Sequence, residues 1–344
     1  MSSLRSSRRP GLFLGSRDLA TLLRKVGPLG CLDIGARGGV VEDIDPLGAA
    51  AYVYGFEPDE EECARLNATL EAGDYPFGEL RFLPTALGPR EERRTLNITR
   101  HSGASSLLLP NPDVASRFAA RERYFDVTRT VPVDTRPLDD VIQDHGVINP
   151  VYMKIDVEGF ELEILKGAER LLSSGLLALR SEIAFLPTRL GQPDFGEISR
   201  YLKPFGLMPM GFLYLATWRS LTDVKHPRKV AGPVPFSRGQ LVHGDVLFLR
   251  NPDTIDDQTD NGATALTRLA LLALLYDYVD FAHDIFMRPA VRRFIEDAVG
   301  SDGLSGLRAA SRFIAKRHDR ESAKAWGRNL KKRVVNELKY AFAR

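Results

Sequence analysis

The segment CLDIGARGGV, residues 31–40, constrains this chain more than any other. Leu29 to Ile34 is a short apolar run that stops at Gly35, which is the pattern of a buried strand. A strand ending in Asp33 that passes through Gly35 and Gly39 brings backbone close to a ligand. Glycine is required there because a side chain would block the approach. The spacing is not the dinucleotide fingerprint G-x-G-x-x-G, since Ala36 and Arg37 follow Gly35 and the second glycine is missing. Asp33 would also sit badly beside a pyrophosphate. It suits a ligand with a positively charged amino-acid end.

A second signal follows in order. YGFEPDEE, residues 54–61, places Glu57 at the end of an apolar strand, Ala51 to Phe56, 24 residues after Asp33. An acid at that strand end can accept both ribose hydroxyl protons of a nucleoside in a doubly wound fold. Each signal alone is weak. Together they point to S-adenosylmethionine as the cofactor.

The third signal is VYMKIDVEGFELEILKGAERLL, residues 151–172. A buried strand delivers Lys154 and Asp156, and Glu158 and Glu161 follow at the turn into a helix. Ligands bind at the carboxyl ends of parallel strands. Two carboxylates at one strand end repel unless they meet a cation or share a proton. The plain alternative is helix capping by first-turn acids, which the helix dipole favours, and it weighs most on Glu161.

The remaining pattern alternates strands with helices. Strands are expected over 80–86, 94–99, 127–134, 151–155 and 176–185, and helices over 17–26, 60–70, 137–145, 160–172 and 195–205. Such alternation predicts a parallel sheet covered on both faces. Residues 207–218 and 241–249 read as a late antiparallel hairpin at the sheet edge, joined by a long loop. The polar tract 251–262 reads as a linker, and 263–344 as helical. The division is then a flexible basic tail over 1–16, a catalytic domain over 17–250, the linker and a basic helical extension.

The combination of DIGARGG, YGFEPD, PTALG (84–88), SGASSL (102–107), VDTRPLDDVI (133–142), KIDVEGFELEILKGA (154–168) and Glu182 resembles the FkbM family of S-adenosylmethionine-dependent methyltransferases. The resemblance runs over about residues 28–250, and the KIDVEG stretch is its most specific part. It implies an α/β, doubly wound, Rossmann-like class I methyltransferase sheet of seven strands, the last antiparallel. It implies methyl transfer to oxygen, on a glycan or related natural product. The matched motifs put Asp33, Gly35, Ala36, Gly39, Glu57 and Pro58 around the cofactor, with Leu83 to Leu87, and so Ala86 and Leu87, bordering the adenine. They put Asp156 and Glu158 at the reaction edge.

An acceptor hydroxyl must lose its proton, because a neutral alcohol is a poor nucleophile. Candidates for the general base are Asp156, favoured for its rigid strand end, then Glu158, Glu182 and His101. Asp156 and Glu182 at successive strand tips could hold a divalent cation, but three oxygen ligands are not visible, so no metal is expected. His145, His226 and His243 make no ligand spacing. No Gly-x-Ser-x-Gly frames Ser105 or Ser106, which disfavours a hydrolase.

Charge is distributed unevenly. Residues 301–344 carry 12 Lys and Arg against 4 Asp and Glu, a net +8, and residues 1–25 carry 6 against 1, a net +5. With +2 overall, residues 26–300 are at −11. Phe313, Ile314, Trp326, Leu330, Val334, Leu338 and Phe342 line one side of a basic helix. Such a helix suits peripheral contact with an anionic membrane, self-association, or docking on the acidic body. No nucleic-acid reader motif is present, so no nucleic-acid partner is expected. No apolar run reaches the ~18 residues of a membrane span, and two cysteines cannot make a disulfide framework. The expectation is a cytoplasmic enzyme with a small-molecule or glycan acceptor. The competing readings are a nicotinamide-dependent oxidoreductase on the same sheet and a non-catalytic module working through its basic helices.

Overall fold

A computed structural model describes residues 11–72, 75–118, 123–220 and 238–341. Among these residues, ten strands run in chain order: β1 Leu29–Ile34, β2 Ala51–Phe56, β3 Glu79–Leu83, β4 Ala86–Leu87, β5 Glu92–Thr99, β6 Val127–Arg136, β7 Pro150–Ile155, β8 Ala178–Ala184, β9 Leu207–Trp218 and β10 Gln240–Arg250. Seven form the main sheet in the order β3-β2-β1-β7-β8-β10-β9. The strands from β3 to β8 pair in parallel, and β10 lies antiparallel to both β8 and β9. The expected edge hairpin is therefore present, with β9 outermost. Most of its joining loop, including His226, lies outside the described residues.

Strands β4, β5 and β6 form a separate small sheet. The expected third strand over 80–86 divides into β3 and β4 because Pro84 has no N–H to continue the ladder. The helix expected over 160–172 is two helices, Glu161–Lys166 and Glu169–Ser174, broken at Gly167. A Cβ at Gly167 would stand 2.2 Å from the Gly88 carbonyl oxygen, so this close backbone approach takes precedence over a continuous helix. The helix expected over 195–205 is α-helical over Phe195–Leu202 and tightens to a 3₁₀ turn over Lys203–Phe205, where Pro204 removes a donor. Gly206, with φ 74°, then closes it in the left-handed conformation.

Every residue of β1 is buried, as a strand covered on both faces must be. One apolar layer packs the helices Leu138–Asp144, Glu161–Lys166, Glu169–Ser174 and Phe195–Leu202 on one face. The opposite layer joins Arg17–Val26 and Glu60–Ala72 to the C-terminal helices Asp260–Leu275, Val279–Phe286, Pro289–Val299 and the start of Leu304–Ala341. The stretch Leu269 to Leu275 is fully buried, because it is apolar around its whole circumference. Residues 251–262 thus separate no second core: a 3₁₀ turn at Pro252–Thr254 leads into a helix beginning at Asp260, and the extension completes the layer on one face of the sheet. The tail expected to be flexible over 1–16 ends in a helical turn, Gly11–Leu14, whose Leu12 and Phe13 are buried in the same layer. Residues 1–10 lie outside the described residues.

The last helix buries Leu307, Ala310 and Ile314, and Phe313 packs partly against the core. Farther along, Trp326 and Leu330 are exposed. The side chains of Val334 and Leu338, and residue Phe342, lie outside the described residues. Among the described residues, no helix is long and apolar enough to cross a membrane.

Candidate active site

The strand order reverses between β1 and β7, and ligands of open α/β sheets bind at the carboxyl ends flanking such a point. A cavity of about 430 Å³ opens there. It is lined by Asp33 to Gly35, Arg37 and Gly39 to Val41 after β1, by Phe56 to Pro58 after β2, and by Lys154 and Asp156 to Glu158 after β7. Thr85 to Leu87 close one end, Ser102, Gly103 and Ser105 to Leu107 contribute to the wall, and Arg180 of β8 also lines it.

The glycine turn is held on both sides. Gly35 and Ala36 donate their N–H groups to the Phe56 carbonyl at 3.1 and 3.0 Å, and Asp156 donates to the Ile34 carbonyl at 3.1 Å. A Cβ on Gly35 would stand 2.0 Å from the Asp156 carbonyl oxygen, and its φ is +82°. Only glycine satisfies both conditions. Gly39, with φ +115°, meets nothing within 4 Å of an added Cβ, so conformation rather than space requires glycine there.

Asp33 is held in place by the protein itself. Its Oδ2 accepts the Val41 N–H at 2.7 Å, and its Oδ1 lies 3.2 Å from Lys154 Nζ. The sheet register explains this pair: Asp33 of β1 stands directly beside Lys154 of β7. Lys154 also lies 3.6 Å from Asp156 Oδ2 and donates to the Gly35 carbonyl at 3.3 Å. Burial pulls the Lys154 pKa down, but the two aspartates outweigh it and hold the amine charged.

Glu57 is 3% exposed and sits where β2 ends. Its Oε1 accepts the Asp59 N–H at 2.9 Å. Burial raises its pKa, while that hydrogen bond and Arg37, 3.9 Å away, oppose the rise. Arg37 also reaches Asp59 at 3.5 Å, a role that its place in the turn does not announce.

At the opposite edge, the carboxylates of Asp156, Glu158 and Glu182 offer oxygens that lie within 4.8 Å of one another. This adds Glu158 to the pair read from the strand tips. Glu158 adopts φ 60°, rare for a residue with a side chain, and backbone of that kind clusters at functional sites. The turn is braced by Glu161, whose Oε1 accepts the N–H groups of Val157 and Gly159, both at 3.0 Å. Glu161 therefore shapes the site from beneath, 2% exposed, rather than capping a helix in solvent. Burial raises the pKa values of Glu158 and Glu182, and the neighbouring carboxylates add to the rise. The Arg189 guanidinium opposes it, with Nη2 3.0 Å from Glu158 Oε2 and 2.6 Å from the Ala104 carbonyl. His243 Nδ1 lies 2.8 Å from Glu182 Oε1.

Asp156 and Glu158 line the cavity, while Glu182 stands behind them against His243. His101 stacks on Tyr124 with ring centroids 4.4 Å apart and is not among the lining residues. Asp33, Gly35, Gly39, Glu57, Pro58, Ala86 and Leu87 all line the cavity. Ala36 is buried beside it, in the turn. Pattern reasoning missed Arg180 and Arg189. Arg180 had a visible signal, a cation inside the otherwise apolar start of ALRSEIA. Arg189 lies in a loop with no local signal at all.

A model of the methyltransferase FkbM domain matches residues 33–207, just over half of the chain. Among solved structures, the chain is similar to the methyltransferase FkbM from Methylobacillus flagellatus KT, at 18% identity and TM-score 0.37, over 64% of this chain and 44% of that one. It is also similar to the magnesium protoporphyrin IX methyltransferase from Synechocystis PCC 6803, at 13% identity and TM-score 0.32, over 67% and 76% of the two chains. A third similarity is to the precorrin-6y C5,15-methyltransferase from Geobacter metallireducens GS-15, at 14% identity and TM-score 0.33, over 67% and 87%. The chain thus spans less than half the length of the Methylobacillus protein. No curated protein matches it. The domain model begins at Asp33 and runs through the glycine turn, Glu57, the KIDVEG strand end and Glu182, and on that match this chain belongs to the FkbM methyltransferase family.

Proposed function

We propose that this protein transfers a methyl group from S-adenosylmethionine to a hydroxyl of a glycan or related natural product. The observation that supports the reading best is a single cavity that has a buried acid at one strand end and a pair of carboxylates at another. Its volume of about 430 Å³ falls within the usual range for small-ligand sites. Glu57 is set to accept ribose hydroxyls, and Pro58 with Thr85 to Leu87 forms the wall at the same end. The open space at Gly39 lets backbone approach the ligand. When bound, the cofactor supplies an activated methyl group on sulfur and a neutral leaving group.

The chain's own contribution is positioning and proton removal. Asp156 is partly exposed at the cavity edge, on a strand end held by Lys154. It takes the acceptor's proton, and general-base help of this kind contributes roughly 10²–10⁴-fold. Glu158, with its pKa raised by burial, stands beside it and can share that proton. Lys154 contacts Asp156 and Arg189 contacts Glu158, so the site carries cations of its own.

The test is a transfer assay with methyl-labelled S-adenosylmethionine against a panel of oligosaccharides and hydroxylated metabolites. We expect label in an ether product, and an Asp156→Asn enzyme slower by about 10²-fold or more in kcat with cofactor affinity unchanged. Label found on nitrogen or carbon, or full activity in Asp156→Asn, would contradict the reading.

A further inference from the structure

Among the described residues, three cations line the cavity: Arg37, Lys154 and Arg180. Arg37 belongs to the Glu57 end, where it faces Glu57 and Asp59. Lys154 is held among Asp33, Asp156 and the Gly35 carbonyl. Arg180 differs from both. It stands beside Lys154 in the β7–β8 register, on the face of the sheet that the C-terminal helices cover. Asp43 Oδ2 and Asp245 Oδ2 each take one terminal nitrogen at 2.5 Å. A guanidinium has five N–H donors in a fixed fork, so two anchored corners orient the rest.

The anchoring does not stop at Asp43. Tyr276 donates its hydroxyl to Asp43 Oδ2 at 3.1 Å and lies 2.7 Å from the Tyr152 hydroxyl. Tyr152 belongs to β7, two residues before Lys154. Tyr276 closes the buried helix Asp260–Leu275, with its own N–H bonded to the Ala273 carbonyl. A chain of contacts therefore runs from the C-terminal extension, through Tyr276 and Asp43, to a guanidinium on the cavity wall. The family match ends at residue 207, well before Tyr276.

We propose that Arg180 binds the carboxylate of the cofactor's amino-acid end and that Tyr276, from the C-terminal extension, positions it through Asp43. The proposal rests on the S-adenosylmethionine reading above. A fork held at two corners suits a planar carboxylate, and the neighbouring aspartates suit the ammonium on the same carbon. The extension is on this account part of the cofactor site rather than an appendage. Arg180 touches the cofactor, whereas Tyr276 acts through Asp43 and is a positioning residue.

Two ligands separate the claims. S-adenosylhomocysteine carries the amino-acid end, and 5′-methylthioadenosine lacks it. Their dissociation constants are measured by calorimetry on the full chain, for wild type, Arg180→Lys and Tyr276→Phe. Arg180→Lys keeps the charge and loses the fork; it should weaken S-adenosylhomocysteine about 10- to 100-fold and methylthioadenosine less than about threefold. Tyr276→Phe should weaken S-adenosylhomocysteine about three- to tenfold, again sparing methylthioadenosine. Retained methylthioadenosine binding shows at the same time that each variant is folded. Equal losses for both ligands, or no loss for either, overturn the proposal. Binding of neither ligand by the wild type would instead defeat the cofactor reading on which it rests.

Discussion

Lys154 Nζ stands 3.2 Å from Asp33 Oδ1, and the two residues are register partners on adjacent parallel strands. One buried ion pair thus fastens the glycine turn after β1 to the turn after β7. Asp33 is 1% exposed, so removing its partner leaves an uncompensated buried charge. Lys154→Met should cost about 3–5 kcal/mol of stability, read from urea unfolding. A loss below about 1 kcal/mol would mean that solvent or another cation replaces the lysine.

Glu161 gives the site a pH-dependent stability. Burial raises its pKa to about 7, although the Gly159 and Val157 amides oppose the rise. In the unfolded chain a glutamate titrates near ~4.3, so the native state binds the extra proton between those values. The carboxyl's contribution is fully present below the unfolded pKa and is lost as pH rises through about 7. Glu161→Gln keeps an oxygen to accept both amides and cannot ionise. Melting temperatures measured from pH 4 to 8 should show the variant gaining on wild type across that window. A constant difference over the whole range would refute the assignment.

Arg189 joins the wall segment to the carboxylates. Its guanidinium is buried, faces the Phe125 ring with its centre 4.3 Å from the centroid, and bridges the Ala104 carbonyl and Glu158. Arg189→Lys loses the planar fork. We expect kcat to fall about tenfold while S-adenosylhomocysteine affinity holds within about twofold, since the residue contacts Glu158 and not the Glu57 end. A matched loss of cofactor affinity would show that Arg189 supports the cofactor end instead.

Lys154 and Arg189 each contact one carboxylate of the acidic edge, and burial favours the protonated forms of Glu158 and Glu182, so we expect a metal-independent reaction. Dialysis against EDTA should leave the transfer rate within about twofold of the untreated enzyme. A loss restored by Mg²⁺ would convert Asp156, Glu158 and Glu182 from proton acceptors into cation ligands.

Much of the site was legible because it depends on short-range grammar. Asp33, Gly35 and Gly39 declare a strand and a tight turn, and Glu57 declares the next strand end. The KIDVEG stretch declares the third. What pattern reasoning missed depends on contacts between distant parts of the chain. Arg180 is paired with Asp43, Arg189 reaches Ala104, and Tyr276 reaches Asp43 across 233 positions. No periodicity encodes such meetings. Fold details failed for the same reason. Gly167 breaks a convincing amphipathic helix only because Gly88 presses against it, and residues 251–262 look like a linker although their neighbours share one core.

The cavity after β1, β2 and β7 is expected to take S-adenosylmethionine. The most direct test is calorimetric titration of the wild type and Glu57→Ala with S-adenosylhomocysteine, with NAD as the competing ligand. We expect saturable one-to-one binding of S-adenosylhomocysteine, weakened at least about tenfold by Glu57→Ala, and no heat from NAD. Binding of NAD alone, or S-adenosylhomocysteine binding indifferent to Glu57, would contradict that expectation.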